Sequence, residues 1–189
     1  CSGTDGFVAI WYDQSGNANN AAQATASFQP QVVASGSIIL ENGKPILRDG
    51  VIMDIVGSIS TNGLSQISVA NNLSTGIRNI MNRSSTSKYF LAADDNDTNP
   101  TTNADYPDLA KLNGSSFNFN TRDVTWDNTL NQSLISWNYE TATTTLTAFG
   151  WTSPTFGMWD MQEFIFYPTS QSSNISGIET NINDHYSIY

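Results

Sequence analysis

A single histidine, His185, and a single cysteine, Cys1, remove whole classes of chemistry from this chain of 189 residues. One thiol cannot close an internal disulfide, and one imidazole cannot build a poly-histidine metal site. Any Ser–His–Asp triad would depend on His185 alone. Basic residues are also few, with seven Lys and Arg against seventeen Asp and Glu, for a formal charge of −10. That balance repels phosphate backbones and anionic lipid, so nucleic acid is not an expected partner. Few cations remain to clamp sulfated or uronic polymers, which makes a neutral glycan the easier ligand. No apolar run approaches the ~20 residues that span a bilayer, so no membrane insertion is expected. No charged start followed by an apolar stretch marks a signal peptide. A start at Cys1 in place of Met reads as a piece of a longer polypeptide.

What fills the chain is polar without being ionic. Charged residues make up 13% and hydrophobic residues 39%, and Asn, Ser and Thr supply much of the rest. The length suffices for one sizeable core, so residues 1–189 read as a single all-β domain. Short apolar runs broken by Asn, Gly, Ser and Pro predict strands near Phe7–Tyr12, Ser37–Leu40, Pro45–Arg48, Val51–Val56 and Ser65–Ala70. Further strands are predicted near Lys88–Ala93, Ser116–Asn120, Ser133–Tyr139, Thr143–Phe149 and Met161–Tyr167.

Phe7–Tyr12 carries no charge and reads as a strand covered on both faces, leading into the turn Asp13–Asn20. Asp13 is placed to accept backbone N–H bonds there and cap the strand end. In Ser133–Tyr139, Leu134, Ser136 and Asn138 alternate with Ile135, Trp137 and Tyr139, so one face carries the rings. In Thr143–Phe149, Thr143, Thr145, Thr147 and Phe149 share a face and leave Leu146 and Ala148 to the core. Asn42-Gly43 has hairpin chemistry. Only the end is predicted helical: Ile175, Ile178, Ile182 and Tyr186 fall on one stripe, and Ser176 with Glu179 has capping-box spacing. This short C-terminal helix is expected over one edge of the sandwich. Asp94–Pro107, almost without apolar residues, reads as a long exposed loop.

Four stretches carry a family resemblance: Trp11-Tyr12-Asp13-Gln14-Ser15-Gly16-Asn17, Glu41-Asn42-Gly43-Lys44-Pro45, Met161–Tyr167 and Ile178–Asn183. Together they resemble the concanavalin A-like, or laminin G-like, jelly-roll domains of bacteriophage virion proteins and of proteins secreted by marine bacteria. The resemblance runs from Gly6 to Tyr189. It implies a two-sheet antiparallel jelly-roll sandwich on a virion surface or in an extracellular setting, with the first strand of the sandwich ahead of Cys1. A more distant likeness is to the catalytic domain of fungal α-L-arabinofuranosidases of the B type, which share a Tyr-Asp-Gln-Ser-Gly turn.

Glycosidase chemistry needs two carboxylates across a sugar, about 5–5.5 Å apart for retention or about 6.5–9.5 Å for inversion. Glu occurs only at positions 41, 140, 163 and 179, and no pair has strand spacing. Glu41-Asn42-Gly43 matches a short motif of the arabinofuranosidase-like enzymes but lies too early in the chain, and reads as a hairpin turn. Ahead of the final strand the only acid is Asp160. No catalytic residues are assigned, and enzyme activity is not expected.

Binding could instead rest on rings, since a pyranose offers a C–H face to an aromatic plane and hydroxyls to amides and carboxylates. Trp126, Trp151 and Trp159 sit near predicted loops and are the candidate platforms, with Asp127, Asn128 and Asp160 as hydroxyl partners. Trp11 and Trp137 are assigned to the core. Asp94, Asp95 and Asp97 offer the hard oxygen ligands of a calcium site, against the competing reading of a solvated acidic loop. The expected function is a non-catalytic carbohydrate-binding or adhesion module, with a neutral glycan and other virion proteins as partners. The alternatives are a purely structural virion domain and, third, an arabinofuranosidase-like glycosidase.

Overall fold

The structure is a computed structural model that describes residues 3–60, 62–72, 78–83, 89–93, 97–100, 107–140, 145–150 and 157–189. Two sheets pack face to face. The five-stranded sheet runs in the order Ser115–Ser116, Leu109–Leu112, Ser133–Tyr139, Leu64–Asn71, Asp160–Tyr167, antiparallel throughout. The larger sheet runs Tyr89–Ala93, Arg78–Arg83, Thr145–Gly150, Ile52–Ser60, Ala21–Ala22, Ile10–Trp11, with Gly157–Met158 added in parallel beside Arg78–Arg83. The protein is an all-β sandwich with a C-terminal helix.

Alternation builds the core. Ile135, Trp137 and Tyr139 meet Met53, Ile55, Leu146 and Phe149 across the interlayer, and Trp137 is 1% exposed. The ring-bearing face of Ser133–Tyr139 therefore points inward, as the pattern predicts, and Trp11 packs half-buried against this cluster, 5.7 Å from Phe149. Phe149 departs from the predicted face. A register shift between Leu146 and Ala148 changes the parity of the strand, so Phe149 joins Leu146 in the core.

Phe7–Tyr12 is not one strand buried on both faces. Gly6–Phe7 pairs with Gln31–Ala34 in a small three-stranded sheet, and Ile10–Trp11 joins the large one. Val8 and Trp11 pack inward, while Phe7, Ile10 and Tyr12 are exposed. Three hairpins turn at Ser35-Gly36, Asn42-Gly43 and Asn113-Gly114, each with positive φ at both turn residues, the geometry that matches the twist of paired strands.

Helix α2, Ile175–Tyr186, covers a face of the sandwich and not an edge. Ile175, Ile182 and Tyr186 pack on Ile67, Val69 and Leu134, the outward side of the five-stranded sheet. The predicted capping box does not form: Asn174 precedes the helix, and Glu179 is buried in an ion pair with Lys111. A second helix, α1, Arg122–Asn128, was not predicted. Its Thr, Asp and Asn residues are poor helix formers. Thr125 and Thr129 turn their hydroxyls back onto the carbonyls of Thr121 and Thr125, and Arg122 pairs with Asp97.

Candidate functional site

One side of the sandwich is open. Strand Asp160–Tyr167 is the edge of its sheet, Ile10–Trp11 is the edge of the other, and between them lies a cleft of about 710 Å³. Its floor is aromatic: Trp11, Phe149, Phe164 and Phe166 line it, with Phe149 and Phe164 edge to face at 4.4 Å. Phe164 and Phe166 reach it because strand alternation sends both to the inner face. Its rim is the turn that follows Trp11, where Tyr12 is 62% exposed and Gln14, Ser15 and Asn17 are also exposed.

Asp13 holds that rim. One carboxylate oxygen accepts the Ser15 amide at 2.7 Å, and the other accepts the Ser15 hydroxyl and the Asn19 amide, each at 2.9 Å. The Asn20 side chain in turn accepts the Asp13 amide at 2.9 Å. The Ser15 hydroxyl and amide bonds, then the Asn19 amide, hold the Asp13 carboxyl below the usual carboxylate range. Glu163, the other acid along the cleft, accepts the Tyr186 hydroxyl at 2.9 Å. Both carboxylates are thus tied to structural donors, and among the described residues no Lys, Arg or His lines the cleft. At the near end, Gln162 donates to the carbonyls of Glu41 and Lys44, which clamps the Asn42-Gly43 hairpin against the sheet.

Those residues nominated from sequence that the structure describes do not converge. Trp159 is a correction: it is 1% exposed, inside the core, and its indole N–H donates to the Arg78 carbonyl at 3.1 Å. The adjoining short strand Gly157–Met158 pairs with Arg78–Arg83 and draws Trp159 under the sheet, so it is no loop-borne platform. Trp126 is half-buried against the core on α1, with Asp127 and Asn128 exposed beside it. Helix α1 packs by Tyr89–Ala93, the far edge of the larger sheet from the cleft. Trp151, Asp94 and Asp95 lie outside the described residues. Asp97 is committed to Arg122 and to the Asn99 amide, which anchors the start of α1. Among the described residues, no group of three or more His, Cys, Asp or Glu is arranged to hold a metal ion.

Asp160 is buried beside Arg48, whose Nε lies 3.7 Å away, and accepts the Asp49 amide at 3.3 Å. Arg48 in turn pairs with Glu41 at 2.9 Å. Burial pushes the Asp160 carboxyl up to about 6 against the opposing pull of these donors and of Arg78. It does not line the cleft. The cleft residues themselves were missed as a site. Trp11-Tyr12 and Phe164-x-Phe166 were legible as strands, but which strands end up as free edges is a matter of topology.

No family model, no curated protein and no solved structure matches this chain.

Proposed function

We propose that this chain is a non-catalytic carbohydrate-binding or adhesion module of the concanavalin A-like jelly-roll type, working on a virion surface or in another extracellular setting. Its sugar site is the rim of the cleft. The carrying observation is the Tyr12 ring, 62% exposed among the neutral amides of Gln14 and Asn17, with no cation lining the cleft among the described residues. An exposed ring with flanking amides fits the C–H face and hydroxyls of a neutral sugar. The absence of basic liners disfavours acidic sugars. Both cleft acids are occupied by structural hydrogen bonds, which favours binding over hydrolysis. A single shallow ring gives weak affinity, and copies arrayed on a surface restore strength by avidity.

The test is a glycan array probed with the domain displayed multivalently, run beside an aryl arabinofuranoside hydrolysis assay. Neutral glycans are expected to bind, Tyr12→Ala to lose that binding with its unfolding midpoint unchanged, and no arabinose to be released. Arabinose release abolished by Asp160→Asn would replace this reading with the glycosidase one. A folded parent that binds no glycan would replace it with the purely structural reading, which the open strand edge already favours as the second choice.

A further inference from the structure

The inner trough of the cleft, below the sugar-binding rim, has the shape and the backbone of a vacant strand position. We propose that it receives one extended polypeptide segment from a partner protein, added as a sixth strand beside Asp160–Tyr167, with apolar side chains at alternate positions and basic residues between them. This goes beyond the glycan reading and does not depend on it.

Three observations support this occupant. The first is the free edge. Among the described residues, Asp160–Tyr167 pairs along one side with Leu64–Asn71, and on its other side only Met161 is bridged, to Leu47. Among the described residues, the outward N–H and C=O groups from Glu163 to Tyr167 have no backbone partner. Folded proteins blunt such edges with charge, proline, bulges or cover. Here a bulge between Met161 and Glu163 and a proline at 168 stand at the two ends, and Glu163 is the only charge in between.

The second is shape and period. The wall runs from Gln162 to Pro168, about 20 Å of extended chain. Dividing 710 Å³ by that length leaves a mean cross-section of roughly 35 Å², below the roughly 48 Å² that a strand occupies in a packed sheet, so the trough takes at most one chain and excludes a second. Phe164 and Phe166 present their rings at the two-residue period of a strand, so an added strand in register sets its own inward side chains between Phe164, Phe166, Trp11 and Leu146. A sugar chain has neither that period nor alternating donors and acceptors to match the edge. Strand addition of this kind draws affinity from main-chain bonds and selectivity from the alternate side-chain pockets.

The third is charge. Among the described residues, Asp13 at the rim and Glu163 on the edge strand are the only charged residues lining the cleft, and the whole chain carries −10. A strand with Lys or Arg at its outward positions is drawn in, and an acidic one is repelled.

The probe is an eight-residue peptide alternating valine with lysine, compared with the same peptide N-methylated at alternate backbone nitrogens on one edge. Binding to the whole domain is followed by fluorescence anisotropy, and amide exchange across residues 163–167 is followed by mass spectrometry. The expected result is saturable binding, weakened roughly tenfold or more by N-methylation, with exchange slowed at 163–167. Tyr12→Ala leaves all three results unchanged, which separates this site from the sugar-binding rim. Equal binding of the two peptides overturns the proposal, because apolar contact alone would then account for it. So does cellohexaose slowing exchange at 163–167 where the peptide does not, which would assign the trough to a glycan. Protection of these amides in the domain alone that disappears on dilution would assign the edge to a second copy of this chain, and protection gained in a longer chain that carries residues ahead of Cys1 would assign it to the protein's own first strand; either result overturns the proposal.

Discussion

Replacing Asp160 with asparagine separates the cost of one buried charge from the acid response of the rest of the molecule. Asp160 is 6% exposed, and burial moves its pKa from 3.8 to about 6 despite the Asp49 amide and the Arg48 and Arg78 guanidinium groups. The folded-state value lies above the unfolded one, so the folded protein holds this proton more tightly. The stabilisation is complete below about pH 4 and is lost as pH rises through about 6. A shift of about two units corresponds to about 3 kcal/mol between those limits. Asparagine keeps a carbonyl oxygen for the Asp49 amide and does not ionise. Urea unfolding, followed by tryptophan fluorescence, should therefore show Asp160→Asn gaining on the parent by about 2–3 kcal/mol between pH 4 and pH 7. The parent's own pH slope is no test. Asp13, Asp97, Asp123 and Glu140 all have lowered values, and they contribute stability above their unfolded pKa that is lost as pH falls. A difference between the two proteins that does not change with pH would refute the burial argument. A parent that gains on the variant as pH rises would mean that the Arg48 and Arg78 attraction outweighs desolvation.

Asp13→Ala removes the acceptor of three rim bonds and should lower stability by about 1–2 kcal/mol, read as a shift of the urea midpoint. An unchanged midpoint with abolished glycan binding would make Asp13 a ligand residue and not a brace. Ile182→Ala opens a cavity between α2 and the outer sheet face, where Ile182 is 5% exposed, and should cost about 2–5 kcal/mol in the same assay. A cost below about 1 kcal/mol would mean that α2 contributes little to the fold.

The sequence alone determined the elements whose cause is local. Alternation in Ser133–Tyr139 placed Ile135, Trp137 and Tyr139 on one face, and burial followed because those side chains are apolar. Asn42-Gly43 fixed a hairpin because both residues tolerate positive φ, and Asn113-Gly114 carries the same signal. The stripe through Ile175, Ile182 and Tyr186 fixed α2, and the three Ser15 and Asn19 bonds to Asp13 are short-range enough to be read from the turn itself. Tertiary structure decided the rest. A register shift between Leu146 and Ala148 turned Phe149 inward, which no period-two reading can supply. Helix α1 has weak intrinsic propensity, and the Asp97–Arg122 pair that anchors its start joins residues far apart in sequence. Trp159 looked like a loop ring because its burial comes from pairing with Arg78–Arg83, about eighty residues earlier. The cleft depends on which strands lack a neighbour. That is a property of strand order, set by contacts between segments far apart in the chain, and no residue in Trp11–Asn17 or Phe164–Phe166 encodes it alone.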